Sequence, residues 1–220
     1  MSFISSPSFN QYAQGAGTWA ARPTAAPVAS RYFATDIGPN GTLFSWDGAY
    51  WRPANGFAVL YGQYGTVASP IATLTGNGTQ QVFTLPELCL LPAGLLAPNS
   101  RLDVEMQVYK EGAHTGSVLG FLASTPTPAS MAIDDFQNTS SVATNPSTIK
   151  LVGSLLIQSG VWVESQVTQT WNAGNSTAVQ IDHADANVNS ANRYIGAGIG
   201  SSYTSDLARL LSLRVSLSAG

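Results

Sequence analysis

The clearest pattern in the chain is an alternation of apolar and polar positions that runs from Leu102 to Lys110. The apolar members of this stretch are Leu102, Val104, Met106 and Val108. A period of two residues is that of a strand with one buried face and one solvated face. The pattern therefore predicts a core strand, and it is the strongest strand signal in the sequence.

An apolar run precedes this strand and extends from Leu85 to Pro98. Its apolar content would suit a helix, but Pro92, Gly94 and Pro98 interrupt it. Proline removes a backbone donor and clashes with the preceding turn, so such punctuation disfavours a continuous helix. We expect this run to form an apolar loop that packs under a sheet.

Further strand candidates follow one another at short intervals and are separated by Gly, Pro, Asn and Ser. The eight candidates are Ile71–Leu74, Gln81–Leu85, Leu102–Lys110, Ser117–Ala123, Ile149–Gln158, Val161–Trp171, Thr177–Ile181 and Ala208–Leu217. Many short strands joined by turn residues are typical of a β-sandwich or jelly roll. The sequence thus predicts an all-β chain with a jelly-roll-like β-sandwich over residues 57–220, and its last strand lies inside a sheet.

A small β-meander is predicted before the sandwich, over residues 31–56. A turn at residues 38–41 leads to a strand at Leu43–Trp46, and Asp47-Gly48 is a strong hairpin signal. An isolated ribbon of this size is marginal in water. We expect Trp46, Tyr50 and Trp51 to cover it as a miniature core or to pack against a neighbour.

Residues 1–30 are rich in Ser, Ala, Gly and Pro and carry four scattered aromatic residues, Phe3, Phe9, Tyr12 and Trp19. A segment with so little apolar area does not fold alone. Two interpretations stay open at this point. The segment is either a disordered tail or an anchoring arm whose aromatic side chains insert into another protein of an assembly.

Two longer polar stretches interrupt the rhythm of strands, at Ser124–Ser147 and Asp182–Tyr203. Loops of this length in a compact sandwich tend to carry function, although they can also be filler. We expect both stretches to be loops at the sandwich edges or in subunit contacts.

The composition narrows the choice of partners. Only 10% of residues are charged and the formal net charge is -3, so no basic stripe is present to neutralise phosphates. This excludes nucleic acid as a partner, and no apolar run approaches the ~20 residues of a spanning helix. The low charge density suits a surface that other subunits cover.

The candidate residues for catalysis or metal binding are few. His114 and His183 have no spacing that forms a metal pair or a nucleophile with its base. Asp134 and Asp135 are adjacent and point to opposite sides of an extended loop, which makes them poor facing carboxylates. Cys89, between two leucines, is expected to be buried and inert. We expect no enzyme activity.

A calcium loop is suggested weakly by Asp185, Asn187 and Asn189, which stand at positions i, i+2 and i+4. Ser190 replaces the expected glycine, and Gly196 stands where a bidentate glutamate would be needed. We therefore expect no metal and no cofactor.

The remaining candidates for ligand binding are the aromatic residues Trp162, Trp171, Tyr194 and Tyr203. Three of them border polar stretches rich in Gly and Asn, as sugar-stacking residues often do. The alternative is that these side chains fill the core or a subunit interface.

Two segments carry a resemblance to known proteins. The sequence LPAGLLAPNSRLDVEM from Leu91 to Met106 resembles an entry into β-sandwich domains of tailed-bacteriophage virion proteins, which more often have glycine where this chain has Ser100. The aromatic strand, tight turn and tryptophan within residues 31–56 resemble small modules near the N-termini of phage tail fibres.

The resemblance implies a virion structural protein, most simply a homotrimeric tail fibre or appendage that attaches to the virion by its N-terminal part. Its partners would be copies of itself, a tail adaptor or capsid protein, and a glycan of the host surface. The N-terminus has no signal-peptide pattern, so we expect synthesis in the host cytoplasm and residence in the virion. The alternatives are a capsid decoration protein and a carbohydrate-binding module.

Overall fold

The computed structural model describes residues 13–112, 114, 118–128, 135–138, 147–171, 178–200 and 204–219. Within these ranges the chain forms sixteen strands and a 3-10 helix at Trp19–Ala21. The strands are β1 Ala13–Gly17, β2 Arg31–Ala34, β3 Thr42–Trp46, β4 Trp51–Pro53, β5 Phe57–Tyr64, β6 Ala72–Asn77, β7 Gln81–Val82, β8 Cys89–Leu91, β9 Arg101–Glu111, β10 Val118–Ala123, β11 Asp135–Asn138, β12 Ser147–Ile157, β13 Val161–Trp171, β14 Ala178–Ala184, β15 Arg193–Ile199 and β16 Thr204–Ser218. This architecture confirms the all-β prediction.

The larger sheet of the sandwich has seven strands in the order β14-β13-β12-β9-β16-β5, and β6 pairs with the first half of β16. All of its strand pairs are antiparallel. Strand β9 lies near the centre, where Met106 stands opposite Leu151 on one side and Leu213 on the other. Its four alternating apolar residues are fully buried, which confirms the strand predicted from them.

The smaller sheet has five strands in the order β11-β10-β15-β7, with β8 also paired to β15. Strand β10 is buried along its whole length because both faces of this sheet are covered. Residues Val118 and Leu122 belong to the main core, whereas Leu119 and Phe121 form a second, smaller cluster on the other face.

Strand β15 overturns the prediction that residues 182–203 form a loop. It runs through Gly196, Ala197 and Gly198, whose small side chains give no alternating pattern to read. The ring of Phe121 occupies the space where a side chain at position 196 would lie. Glycine here marks the close approach of two strands, which is one of its roles inside sheets. Strand β11 likewise lies within the stretch Ser124–Ser147 that was predicted to be a loop.

The apolar run before β9 forms no helix, as predicted, but only part of it is a loop, because Cys89–Leu91 form strand β8. Leu91, Leu95 and Leu96 are each at most 2% exposed. The positive φ of the turn that leads into β9 falls on Asn99, at 65°, and not on Ser100. Asparagine tolerates the left-handed conformation better than most residues, so glycine at position 100 is not required.

The meander forms a separate four-stranded sheet in the order β1-β2-β3-β4, with β1 parallel to β2. Its buried side chains are nevertheless continuous with those of the sandwich. Phe44 and Trp51 belong to the same cluster of buried residues as Leu102 and Leu217. Residues 13–17, which the sequence analysis placed in an arm, are part of the meander sheet.

No helix in the part of the chain that the structure describes is long and apolar enough to cross a membrane.

Candidate functional site

Trp19 was predicted to be an anchor for another protein, but it lies in the core of its own chain. It is 2% exposed, and its ring centroid is 4.7 Å from that of Phe44. Its indole Nε1 donates a hydrogen bond of 3.0 Å to the Ala93 carbonyl. Trp19 therefore joins the meander to the apolar loop, and it leaves no surface for a partner. Phe3, Phe9 and Tyr12 lie outside the described residues.

Arg22 reinforces this junction. Its guanidinium lies 4.0 Å from the centroid of the Trp19 ring and donates to the Trp19 carbonyl at 2.8 Å. Burial lowers the pKa of Arg22, against a smaller opposing effect of Tyr32. A side chain at position 94, where glycine has a φ of +77°, would collide with the Arg22 guanidinium. The packing of Arg22 therefore explains why position 94, in the sequence Pro92-Ala93-Gly94, is a glycine.

Two of the three predicted meander residues form its core. Trp46 and Trp51 are buried with their ring centroids 5.4 Å apart, and Trp51 Nε1 donates to the Pro23 carbonyl at 2.8 Å. Tyr50 is 39% exposed and does not join them. The Asp47 carboxylate accepts hydrogen bonds from the backbone N–H groups of Ala49 and Tyr50, and this turn places Tyr50 on the surface.

Arg52 links the hairpin to the entry of β9. Its side chain pairs with Asp47 at 2.5 Å and donates to the Pro98 carbonyl at 3.0 Å. Burial alone raises the pKa of the Asp47 carboxyl, but the hydrogen bonds to the turn and to Arg52 hold that pKa below its usual value. The pair is part of the fold and is not a site for a ligand.

The four aromatic residues proposed for sugar stacking do not come together. Trp162 is fully buried in β13, as the alternative interpretation held. Trp171 ends the same strand, but its side chain lies outside the described part, as does all of Tyr203. Tyr194 is half-buried in β15 of the other sheet and lines a pocket of about 110 Å³ with Thr84 and Thr127.

The suggested calcium ligands have other roles. The Asp185 carboxylate pairs with the Arg193 guanidinium through two contacts, the longer of which is 2.6 Å. Asn189 accepts from the Gly160 N–H and donates to the Leu96 carbonyl. The Asp185 carboxylate is therefore already neutralised by a cation of the protein itself. No cluster of three metal-ligating side chains occurs among the residues that the structure describes.

The two histidines are far apart. His183 lies in β14 and not in a loop, opposite Trp162, and its side chain lies outside the described part. His114 follows β9, and its Nδ1 is 2.8 Å from the Asp206 carboxylate. Asp135 begins β11, and Asp134 lies outside the described residues.

The Asp206 carboxylate also forms a buried ion pair with Lys110, at 2.8 Å. Burial raises the pKa of this carboxyl, but hydrogen bonds from Lys110 and His114, together with the charges of these groups, hold the pKa below its usual value. Gly112 has a φ of +126°, and the Asp206 side chain occupies the position that a Cβ at residue 112 would need. This arrangement joins the end of β9 to the start of β16.

Cys89 is buried as predicted, and burial raises the pKa of its thiol far above the usual value. Its neighbours behave differently, because alternate residues of a strand face opposite ways. Leu88 is 56% exposed and Leu90 is 44% exposed. The same local sequence therefore supplies an inert core thiol and two apolar surface side chains.

These two leucines border a cleft of about 340 Å³. Its walls come from the meander loop at residues 36–39, from β5 at residues 60–63, and from residues 87–95. The lining includes the carboxylates Asp36 and Glu87 and no basic side chain. The Tyr61 hydroxyl donates to the Glu87 carbonyl at 2.9 Å, and burial, with Cys89 and Glu87, raises the pKa of Tyr61 to about 12.

Strand β5 lines this cleft as an edge strand, because β16 is its only partner among the strands that the structure describes. The Gly65 N–H donates to the Leu211 carbonyl at 2.7 Å, so Gly65 and Leu211 are a hydrogen-bonded pair of the ladder. In an antiparallel ladder, every second residue of β5 then bonds to β16. Gln63 and Tyr61 therefore bond to β16, while the backbone groups of Gly62 and Tyr64 point away from it. Among the described residues, no backbone hydrogen bond outside the ladders reaches these groups.

The meander loop covers another part of this edge. A Cβ at Gly38, which has a φ of +76°, would collide with the carbonyl of Val59. The loop thus shields β5 at Val59 and leaves the stretch from Gly62 to Tyr64 open. This site was not predicted from the sequence. The signal for it was that Leu88 and Leu90 flank Cys89. If Cys89 is buried in an extended segment, both leucine side chains lie on the opposite, exposed face.

Comparison with known proteins gives only distant similarity. No protein-family model matches the chain, and no curated protein sequence matches it. Among solved structures, lectin II from Ulex europaeus is 8% identical with a TM-score of 0.45, over 77% of this chain and 95% of that one. Arcelin-5, a lectin-like defense protein from Phaseolus vulgaris, is 6% identical with a TM-score of 0.44, over 75% and 93%.

A third similar structure is the CBM2 module of the evolved Dit of Lactobacillus casei BL23 phage J-1. It is 8% identical with a TM-score of 0.38, over 71% of this chain and 79% of that one. At these values the similarities carry no argument about function. The assignment of a β-sandwich rests on the two sheets themselves.

Proposed function

We propose that this chain is a bacteriophage virion structural protein, a homotrimeric tail fibre or short appendage that attaches to the virion by its N-terminal part. The two segments that resemble phage proteins support this role. Both adjoin the junction between meander and sandwich, since residues 91–106 comprise the buried loop and the first half of β9, and residues 31–56 lie in the meander.

The observation that carries the proposal is the apolar surface around β5. Phe57 is 47% exposed, Tyr64 is 71% exposed, and Leu88 and Leu90 are each more than 40% exposed. Phe57 and Tyr64 lie at the two ends of β5, and Leu88 and Leu90 border the cleft beside it. Large exposed apolar side chains mark an interaction surface. With only 10% charged residues in the chain, other subunits are the simplest cover for this surface.

The shared core supports a mechanical role. Trp19 and Arg22 fix the meander to the apolar loop, and Arg52 fixes the hairpin to the entry of β9. A docking contact made by the N-terminal part would therefore hold the sandwich in a fixed orientation. Such rigidity suits an appendage that presents its outer part to a host surface.

The test of assembly is the mass of the purified full chain by light scattering. We expect three times the chain mass of 23.0 kDa, because a trimer buries the exposed apolar side chains around β5. A monomer at every concentration up to the solubility limit would overturn the trimer.

The position in the virion is tested by mixing the protein with separated heads and tails, since an appendage binds tails and a decoration protein binds heads.

A second candidate function, carbohydrate binding, is favoured by the pocket at Tyr194. A half-exposed tyrosine beside threonine hydroxyls is suited to a sugar, which offers an apolar face and hydroxyl groups. We expect a glycan array to give signals that fall about tenfold in Tyr194→Ala, as for the loss of one ring contact. Tyr50→Ala, an exposed tyrosine of the meander, is the control. Silence of the unmodified protein on the array excludes this function.

A further inference from the structure

We propose that a short stretch within residues 1–12 of one copy lies as an added strand on the open β5 edge of a second copy. This inference rests on the trimer of the proposed function and names the contact that forms it. Edge strands with unpaired N–H and C=O groups are templates for pairing with another chain, and adding a strand is a recurrent mode of peptide recognition.

The backbone groups that would receive the strand are those of Gly62 and Tyr64, which the ladder with β16 leaves pointing outward. The meander loop closes the edge at Val59, so the open stretch is short. A strand of a few residues fits this length. Its alternate side chains would point into the cleft beside Leu88 and Leu90.

The lining of the cleft favours a peptide over a sugar. Its walls include four leucines and two prolines beside the carboxylates Asp36 and Glu87, and its single aromatic ring, Tyr61, is only 7% exposed. Sugar sites usually present the face of an aromatic ring, and this cleft presents none. Apolar walls beside outward-pointing backbone groups suit an extended segment with apolar side chains.

The shape of the cleft favours a single segment over the edge of another folded sheet. The meander loop at residues 36–39 stands on one side of β5, and residues 87–90 stand on another. A second sandwich that approached edge to edge would meet these walls. One extended chain needs only the spacing of neighbouring strands, about 4.8 Å.

Residues 1–12 have the required composition. They contain no charged side chain, and they include Phe3, Ile4 and Phe9. An uncharged segment enters the cleft without the free-energy cost of desolvating a charged side chain. Fully extended, twelve residues reach about 40 Å, enough to cross to a neighbouring subunit.

The direction of β1 favours a second copy over the same chain. The Thr35 N–H donates to the Gly17 carbonyl at 2.8 Å, so the end of β1 lies beside Asp36 at the cleft. Ala13 lies at the opposite end of β1, about 13 Å further away. Ala13, to which residues 1–12 are joined, is therefore at the end of β1 that is farther from the cleft of its own chain. A head-to-tail exchange of this kind closes into a ring when the rotation allows it, and a trimer is such a ring.

The test compares Gly62→Pro with Gly62→Ala in the full chain. Proline removes the outward N–H but leaves the ladder with β16 intact, and edge positions tolerate it for that reason. A Cβ at position 62 meets only the Tyr64 ring, at 3.7 Å, so the alanine control fits. Far-UV circular dichroism and a thermal melt check that both variants fold.

We expect light scattering to give a trimer for the unmodified chain and for Gly62→Ala, and a monomer for Gly62→Pro and for the chain lacking residues 1–12. A fluorescent synthetic peptide of residues 1–12 should bind the shortened chain, and at least tenfold more weakly when that chain also carries Gly62→Pro.

Persistence of the trimer in both altered chains overturns the strand exchange and leaves the proposed trimer standing. A monomeric unmodified chain overturns the trimer itself. The unmodified chain could be a monomer while the chain lacking residues 1–12 still binds the peptide in a way that Gly62→Pro weakens. In that case the β5 edge binds residues 1–12 of its own chain, and exchange between copies is overturned.

Discussion

Individual polar residues show how this chain pairs charges that are far apart in sequence. Lys110 is 1% exposed and Asp206 is similarly buried, and they meet at 2.8 Å between the ends of β9 and β16. Removing one member of a buried pair leaves the other charge without compensation. The fold therefore depends on both residues being present together.

We expect Asp206→Asn to lower the free energy of unfolding by about 3–5 kcal/mol, because the buried Lys110 ammonium loses the carboxylate that it faces at 2.8 Å. Urea denaturation measures this loss. The matched control is the double variant Lys110→Met with Asp206→Leu, which should recover much of the stability. Equal losses in the single and double variants would contradict the role given to the ion pair.

The same pair predicts how stability depends on pH. The pKa of the Asp206 carboxyl is lower in the folded chain than in the unfolded chain, where it is about 3.9. Its contribution is therefore fully present above the unfolded value and is lost as the pH falls through the folded value. Urea midpoints measured from pH 6 to pH 2 should decline less steeply in Asp206→Asn than in the unmodified chain.

At the scale of elements, β16 is the strand on which the larger sheet depends. It pairs with β9 along most of its length, with β6 in its first half and with β5 in its second half. Its inward residues Leu210, Leu213 and Val215 are fully buried. The partial alternation in the sequence had predicted a final strand inside a sheet, and the structure confirms it.

We expect a chain that ends at residue 208 to be unfolded, because it lacks the partner of both β5 and the middle of β9. Circular dichroism and the heteronuclear NMR spectrum of the truncated chain measure this. A chain that lacks only residue 220 is the control and should keep the native spectrum. A folded truncated chain would show that β5 and β9 do not need β16.

At the scale of the whole molecule, the meander and the sandwich share one core. Trp19, Phe44 and Trp51 lie in the same cluster of buried residues as the inward residues of β9 and β16. Domain boundaries were predicted at residues 30 and 56, and packing continues across the second of them. A shared core couples the stability of both parts.

We therefore expect one cooperative unfolding transition. Tryptophan fluorescence reports strongly on the meander, where Trp19, Trp46 and Trp51 lie, while far-UV circular dichroism reports on all the sheets. The two signals should give the same urea midpoint, as two-state unfolding requires. The chain lacking residues 1–12 is the control, because it shows whether these residues contribute to either urea midpoint. Two separate midpoints would mean that the meander is an independent module.

The sequence by itself determined the features that depend on neighbouring residues. Alternation predicted β9 and the end of β16, and Pro92 with Gly94 excluded a helix. Asp47-Gly48 predicted the hairpin of the meander, although its connection has four residues, between Trp46 and Trp51, and not the two of the expected turn. These features are local because side-chain direction, turn geometry and proline constraints act within a few residues. The all-β class followed from the same local signals.

Only the tertiary structure decided which of these elements meet. Strand β15 is held by partners on both sides and shows no pattern of its own, and Trp19 is buried by residues more than twenty positions away. The Lys110–Asp206 pair and the open edge of β5 likewise depend on sheet order. Sheet order is set by contacts between distant segments, and no window of neighbouring residues records those contacts.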